Sequence, residues 1–170
     1  EPMCRHSTFR VGGPADVMFF PQSAEELQRA MALARAQGAG ALVIGNGSNL
    51  VVRDGGVRGL VIVLGEHMAR ISVEGACLRA QAGAMLARVS AAAQEAGLSG
   101  LEFASGIPGT LGGGCAMNAG AYGGEFCQAC ESVLCLRPNG NVERIAAAEA
   151  NWSYRHSQMM DDGSIVLEAT

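Results

Sequence analysis

Two glycine-rich stretches hold the residues best suited to chemistry. From Leu101 to Gly124 the chain reads LEFASGIPGTLGGGCAMNAGAYGG. Gly106, Gly109, Gly112, Gly113 and Gly114 lack the Cβ atoms that would keep a ligand off the backbone. Their N–H groups can point at an anion, above all where a helix starts nearby. Ile107, Leu111, Met117 and Tyr122 are apolar anchors that a solvated glycine linker lacks. The second stretch is Gly45-Asn46-Gly47-Ser48-Asn49. It looks like the opening of a dinucleotide fingerprint, but Leu50 stands where the last glycine belongs and no helical pattern follows. It reads as a tight loop between strands, offering N–H groups and the Ser48 hydroxyl to a phosphate. A plain structural turn is the alternative.

Other chemistries are excluded or thin. All 12 basic residues are Arg, so Schiff bases, pyridoxal phosphate sites and the Walker A lysine are ruled out. Arginine remains, with its two-pronged grip on carboxylates and phosphates. Cys127-x-x-Cys130 matches half of a zinc site, but no second pair sits at suitable spacing and no His is close. The six cysteines read as reduced, small apolar groups, which fits a cytoplasmic setting. A net charge of −4 with no basic run argues against nucleic acid. No apolar run approaches the roughly 18 residues of a membrane span, and no signal peptide is visible.

These loops need elements to position them. Asp16 to Phe20 predicts a strand, and Ser23 with Glu26 forms a capping box for a helix ended by Gly38. Ala41–Ile44, Leu50–Val52 and Leu60–Leu64 read as strands. A boundary falls near Gly65 to Ala69. Beyond it, Arg70–Val73 and Cys77–Ala82 form a hairpin, and Met85–Ala96 a helix with Gly97 past its end. Val133–Leu136 pairs with Val142–Ile145 across Pro138-Asn139-Gly140, Ala146–Asn151 forms a helical turn, and Ile165–Ala169 is a last strand. The fold class is α+β, with mixed strand pairing and two lobes, 1–65 and 66–170. A crevice lined by both glycine stretches suits an extended anionic ligand such as a dinucleotide.

In order and spacing, six motifs carry a resemblance: Thr8-Phe9-Arg10-Val11-Gly12-Gly13-Pro14-Ala15, Gly45-Asn46-Gly47-Ser48-Asn49-Leu50, Gly97-Leu98-Ser99-Gly100-Leu101-Glu102-Phe103, Gly106-Ile107-Pro108-Gly109-Thr110, Met117-Asn118-Ala119-Gly120-Ala121-Tyr122-Gly123 and Tyr154-Arg155-His156-Ser157. The chain resembles, over nearly its whole length, the flavin-binding part of the UDP-N-acetylenolpyruvoylglucosamine reductase (UDP-N-acetylmuramate dehydrogenase) family. The resemblance implies a two-lobed FAD-binding fold of the PCMH-type flavin oxidoreductases, with FAD between the lobes. It implies cofactor contacts from Gly45, Asn46, Gly47, Ser48 and Asn49, and from Gly106, Ile107, Pro108, Gly109, Thr110, Gly112, Gly113, Ala116 and Asn118. Arg155 takes the place of the family's catalytic Arg, steadying the charge that grows on an enolpyruvyl carboxylate. Tyr154 and Ser157 orient substrate, and His156 receives no role.

The same resemblance implies NADPH as reductant and a UDP-sugar enolpyruvate as substrate, for peptidoglycan synthesis in the cytoplasm. It also implies a substrate domain after Thr170 that supplies a Ser or Cys proton donor and a late Glu. On that reading the 170 residues alone are inactive. Cys115 stands where an aliphatic or small residue is expected, which places it at the flavin pocket. The alternatives are another flavin oxidoreductase or oxidase of this fold, and a non-catalytic flavin-binding fragment.

Overall fold

The computed structural model describes Glu1 to Thr170. In chain order its strands are β1 Ala15–Phe19, β2 Ala41–Ile44, β3 Val57–Val63, β4 Ile71–Glu74, β5 Cys77–Gln81, β6 Gly120–Ala121, β7 Gly124–Glu125, β8 Ser132–Leu136, β9 Val142–Ala146 and β10 Ile165–Ala169. Its α-helices are α1 Ala24–Ala36, α2 Leu86–Glu95, α3 Leu111–Ala116, α4 Phe126–Ala129 and α5 Gln158–Asp162.

The first sheet has the order β1-β3-β2 and is wholly parallel. Parallel strands need a crossover, and α1 supplies it between β1 and β2, which lie on either side of β3. The start of α1 is half the predicted box. The Ser23 hydroxyl accepts from the Glu26 N–H at 3.3 Å, but the Glu26 carboxylate accepts from Gln22 at 2.9 Å instead of Ser23. The second sheet, β4-β5-β10-β8-β9, is wholly antiparallel. Strand types therefore segregate by sheet. The last strand, β10, takes the centre, hydrogen-bonded on both edges, which suits its buried Val166, Leu167 and Ala169.

The pleat of β3 distributes the core. Val61 and Val63 join a six-residue cluster with Met3, Ala15, Ile44 and Val52. Ile62 points the other way, into a cluster of 22 buried residues that also holds Leu27 of α1, Leu86 and Val89 of α2, Leu111 of α3 and Val166 of β10. Each such side chain is worth about 1.5–3 kcal/mol on burial. The larger cluster runs from the first sheet into the second, so the two are welded by shared apolar contact.

Leu50–Val52 is not a strand. Both edges of β3 are already taken by β1 and β2. The segment packs on the chain's opening residues instead: Ser7 Oγ donates to the Leu50 carbonyl at 3.2 Å, and the Gly13 N–H donates to the Arg53 carbonyl at 3.0 Å.

Candidate functional site

The loop Gly45–Asn49 leaves the end of β2, and the segment Ile107–Thr110 leads into α3. The two meet. Asn46 Nδ2 donates to the Pro108 carbonyl at 2.9 Å. A Cβ on Gly45 would collide with Thr110 Oγ1, and one on Gly47, at φ +61°, with the His6 carbonyl. Those two glycines serve contact within the protein. So do Gly112 and Gly114, whose absent Cβ atoms would lie 2.8 Å from Ala82 Cβ and from Leu86 Cδ1.

Gly109 and Gly113 differ. A Cβ on Gly109 would find its nearest neighbour, Ser48 Oγ, at 3.6 Å, and one on Gly113 would find Thr110 Oγ1 at 3.8 Å. Both residues line a cavity of about 410 Å³. Its wall also includes Gly45–Leu50, Ile107–Thr110, Ala116, Met117 and Arg155, and no carboxylate. The backbone N–H groups of Asn46, Gly47, Ser48, Asn49, Gly109, Thr110 and Gly113 have no acceptor in the protein, nor do the Ser48 and Thr110 hydroxyls donate to one. A wall rich in unmet donors and free of acidic groups suits an anion.

The start of α3 supplies only part of those donors, from Thr110 and Gly113. The Leu111 and Gly112 N–H groups donate to the Ala84 and Ala82 carbonyls at 2.7 and 2.9 Å. That ties the helix to the loop ahead of α2.

At its other end, α3 holds the turn that carries Arg155. Three bonds pin this turn. Trp152 Nε1 donates to the Cys115 carbonyl at 3.0 Å, Ser157 Oγ to the Ala116 carbonyl at 2.6 Å, and Asn118 Nδ2 to the Ser153 carbonyl at 3.1 Å. The second satisfies a last-turn carbonyl that a helix leaves open, and the first adds to the Asn118 N–H already donating to Cys115 at 3.1 Å. Ser153 and His156 exchange backbone bonds of 3.1 and 3.2 Å around Tyr154-Arg155. Arg155 sits at φ +57°, a left-handed position where glycine is usual and a side chain costs about 1–3 kcal/mol. Its Nη2 donates to Asn49 Oδ1 at 2.9 Å, across to the loop of the first sheet. Tyr154 beside it is 86% exposed.

The structure therefore brings together Gly45, Asn46, Gly47, Ser48, Asn49, Ile107, Pro108, Gly109, Thr110, Gly113, Ala116 and Arg155 on one cavity wall. It corrects four expectations. Asn118 is buried and fully engaged, its amide also donating to Glu125 at 2.9 Å and its oxygen accepting from the Cys127 N–H at 3.0 Å. Ser157 is wholly buried on Ala116. Both frame the site instead of lining it, because each meets a polar group that the surrounding loops would otherwise leave unpaired. Gly106 ends a 3₁₀ turn outside the cavity wall, and Gly112 serves packing on Ala82.

Cys115 is likewise in the core, not at the pocket. Burial pushes its thiol well up, and pushes Cys130 up to about 12 and Cys135 to about 11. All three stay protonated near neutrality, a poor state for a nucleophile or metal ligand. The role of Trp152 was missed. Its signal was present: a lone, part-buried indole N–H needs an acceptor.

A family model described as an FAD binding domain matches residues 15–146. The chain belongs to the FAD-binding domain family. The donor-rich wall and the open space over Gly109 and Gly113 fit the pyrophosphate of that cofactor. The chain is 47% identical over 169 residues to the UDP-N-acetylenolpyruvoylglucosamine reductase of Lactococcus lactis subsp. cremoris, covering 99% of this chain and 56% of the relative. It is 43% identical over 169 residues to the reductase of that name from Clostridioides difficile, again spanning 56% of its length. Among solved structures it is similar to UDP-N-acetylenolpyruvylglucosamine reductase from Thermus caldophilus, with a TM-score of 0.83 and 35% identity, covering 99% of this chain and 59% of that one. The glucose dehydrogenase Phl p 4.0202 shares the fold alone, at a TM-score of 0.68 and 14% identity over 97% of this chain and 37% of that one. The fold is thus α+β, of the PCMH-type flavoenzyme class. No helix is long and apolar enough to cross a membrane.

Proposed function

We propose that this chain is the cofactor-holding part of a flavin-dependent reductase acting on the enolpyruvyl group of a UDP-N-acetylglucosamine enolpyruvate. The product is UDP-N-acetylmuramate for peptidoglycan, NADPH is the reductant, and the setting is the cytoplasm. The names of the reductases to which it is similar support the reaction class. The observation that carries the reading is local. One guanidinium, that of Arg155, stands at a cavity whose wall also carries seven unmet backbone N–H donors and no carboxylate.

The cofactor lies between lobes 1–65 and 66–170, held by Gly45–Asn49 from one and by Ile107–Thr110, Gly113 and Ala116 from the other. When bound, FAD supplies hydride transfer. Arg155 does the work on substrate. Hydride addition to an enolpyruvyl double bond drives negative charge onto the adjoining carboxylate. A guanidinium fixed on a rigid turn stabilises that charge as it grows and costs no reorganisation when it does. Its two-pronged donor geometry matches a carboxylate. Asn49 holds Arg155 in place through a neutral acceptor, so the guanidinium keeps its charge unspent for the substrate. Tyr154, on the same turn, offers an exposed ring to the substrate.

The test is made in a protein that also carries the remaining length found in the relatives. Arg155→Ala is expected to slow reoxidation of the reduced flavin by substrate by about 10²–10³-fold. FAD affinity is expected to stay within about threefold, since the change removes no donor of the cradle loops. Loss of FAD with unchanged reoxidation would make Arg155 structural and sink the reading. The 170-residue chain alone is expected to retain a flavin absorbance band through desalting and to show negligible turnover.

A further inference from the structure

One carboxylate stands behind the turn that presents Arg155. Glu125 closes the short β6–β7 hairpin opposite Gly120 and takes no part in the cavity wall. Its Oε2 accepts from Asn118 Nδ2 at 2.9 Å, and from the Cys127 thiol at 3.7 Å. The same Asn118 nitrogen donates to the Ser153 carbonyl at 3.1 Å, and the Asn118 oxygen accepts from the Cys127 N–H at 3.0 Å. These partners fix which way the amide points. A carboxylate and a backbone carbonyl only accept, and a backbone N–H only donates. Turned over, the amide would set its oxygen against two acceptors and its nitrogen against a donor. Asn118 is buried, so no solvent would relieve that mismatch.

The Ser153 carbonyl is where this order reaches the site. It takes a second bond, from the His156 N–H at 3.2 Å, and that bond closes the turn around Tyr154 and Arg155. Arg155 is held in the turn at φ +57°. A strained backbone persists only where its surroundings over-determine it. Trp152 and Ser157 tie the flanks of the turn to α3, and Asn118 is the side chain that meets the closing carbonyl itself.

We infer that Glu125 is a positioning residue for Arg155. It orients the Asn118 amide, the amide aims the Ser153 carbonyl, and the closed turn sets the direction from which the guanidinium meets Asn49 and the cavity. This role rests on the reading that Arg155 acts on substrate. Glu125 has a second task, and the two are separable. It caps α4: its side chain accepts from the Gln128 N–H, while the Gln128 side chain accepts from the Glu125 N–H at 3.1 Å. A serine at this position keeps a good cap but is too short to reach Asn118. A glutamine keeps both the reach and an acceptor oxygen.

Two measurements test this role. The first is amide hydrogen exchange at single-residue resolution in the 170-residue chain. Glu125→Ser is expected to speed exchange at His156 by at least about tenfold, and Glu125→Gln by less than about twofold. The Cys130 amide, bonded to the Phe126 carbonyl of α4, and the amides of β10 are expected to keep their rates in both variants, showing cap and core intact. The second is reoxidation of reduced flavin by substrate in a protein that also carries the remaining length found in the relatives. Glu125→Ser is expected to slow it by about tenfold at unchanged FAD affinity, and to add nothing once Arg155 is replaced by Ala. Glu125→Gln is expected to restore the rate to within about threefold. Unchanged His156 exchange in Glu125→Ser would overturn the inference. So would Ser and Gln acting alike, or a full further slowing by Glu125→Ser in the Arg155→Ala background, since that effect would bypass the guanidinium. An Arg155→Ala variant that reoxidises normally would instead sink the reading of Arg155, while the exchange measurement, which needs no substrate, still decides whether Glu125 sets the turn.

Discussion

Gly45 and Gly47 on one loop, and Gly109 and Gly113 on the facing segment, look alike in the sequence and do opposite things. The first pair lets two protein segments touch: a Cβ on either would run into Thr110 Oγ1 or the His6 carbonyl. The second pair keeps space empty, with no protein atom closer than 3.6 Å to the absent Cβ. The serines repeat the contrast. Ser157 Oγ is buried on the Ala116 carbonyl, whereas Ser48 Oγ sits on the cavity wall without a protein acceptor. A small residue near a cofactor site is therefore either frame or cradle, and the contacts around it decide which.

Substitutions should separate the two kinds. The largest expected effect is Gly47→Ala, which places a side chain at φ +61° and against the His6 backbone. It should cost about 3 kcal/mol of stability, read as a lowered midpoint in urea denaturation. An unchanged midpoint would erase the distinction. Asn118→Ala comes next, at about 2–3 kcal/mol, since it breaks part-buried bonds to three partners at once. Its measured signature is lost stability at an unaltered FAD stoichiometry.

The cradle residues should behave in reverse. Gly109→Ala and Gly113→Ala are expected to leave the denaturation midpoint nearly unchanged and to weaken FAD binding by about tenfold, roughly 1.4 kcal/mol, in fluorescence titration. Ser48→Ala should follow the same pattern more weakly, while Ser157→Ala should shift the midpoint and spare FAD. If both serines act alike, the contrast fails.

The smallest effect concerns the frame in acid. Burial pushes the Asp162 carboxyl up, but bonds from Ser164 and the Arg137 guanidinium outweigh it and hold it below the ordinary carboxylate range. Arg137 lies 3.0 Å from Asp162, and the Ser164 N–H donates to it at 2.9 Å. A carboxyl lowered in the folded state stabilises the fold above its unfolded pKa, near 3.9, and loses that contribution as pH falls through the folded value. Asp162→Asn should flatten the acid limb of a stability–pH curve below about pH 4 and reduce stability modestly at pH 7. An unaltered acid limb would show that the pair contributes nothing.

Much of the molecule was legible in the chain because local rules agree with the fold there. The Ser23 cap, the Gly38 stop, the β4–β5 hairpin and β10 all follow from short-range pattern. The glycine stretches pointed at an anion site without deciding which glycines form it. Helix α3 was hidden, because three consecutive glycines oppose helix formation by roughly 1 kcal/mol each. Its carbonyls are met by Trp152 and Ser157, and its first N–H groups by Ala84 and Ala82, so tertiary bonds override propensity.

What the sequence determined by itself is the set of local elements, the motifs and the class of ligand, since those depend on spacing along the chain. Only the tertiary structure decided that Asn118 and Ser157 are frame, that Cys115 is core, that Arg155 reaches Asn49 across 106 residues, and that β1 keeps an open edge. The physical reason is the same each time. A polar or small side chain takes its role from what lies within bonding distance, and those partners come from remote parts of the chain.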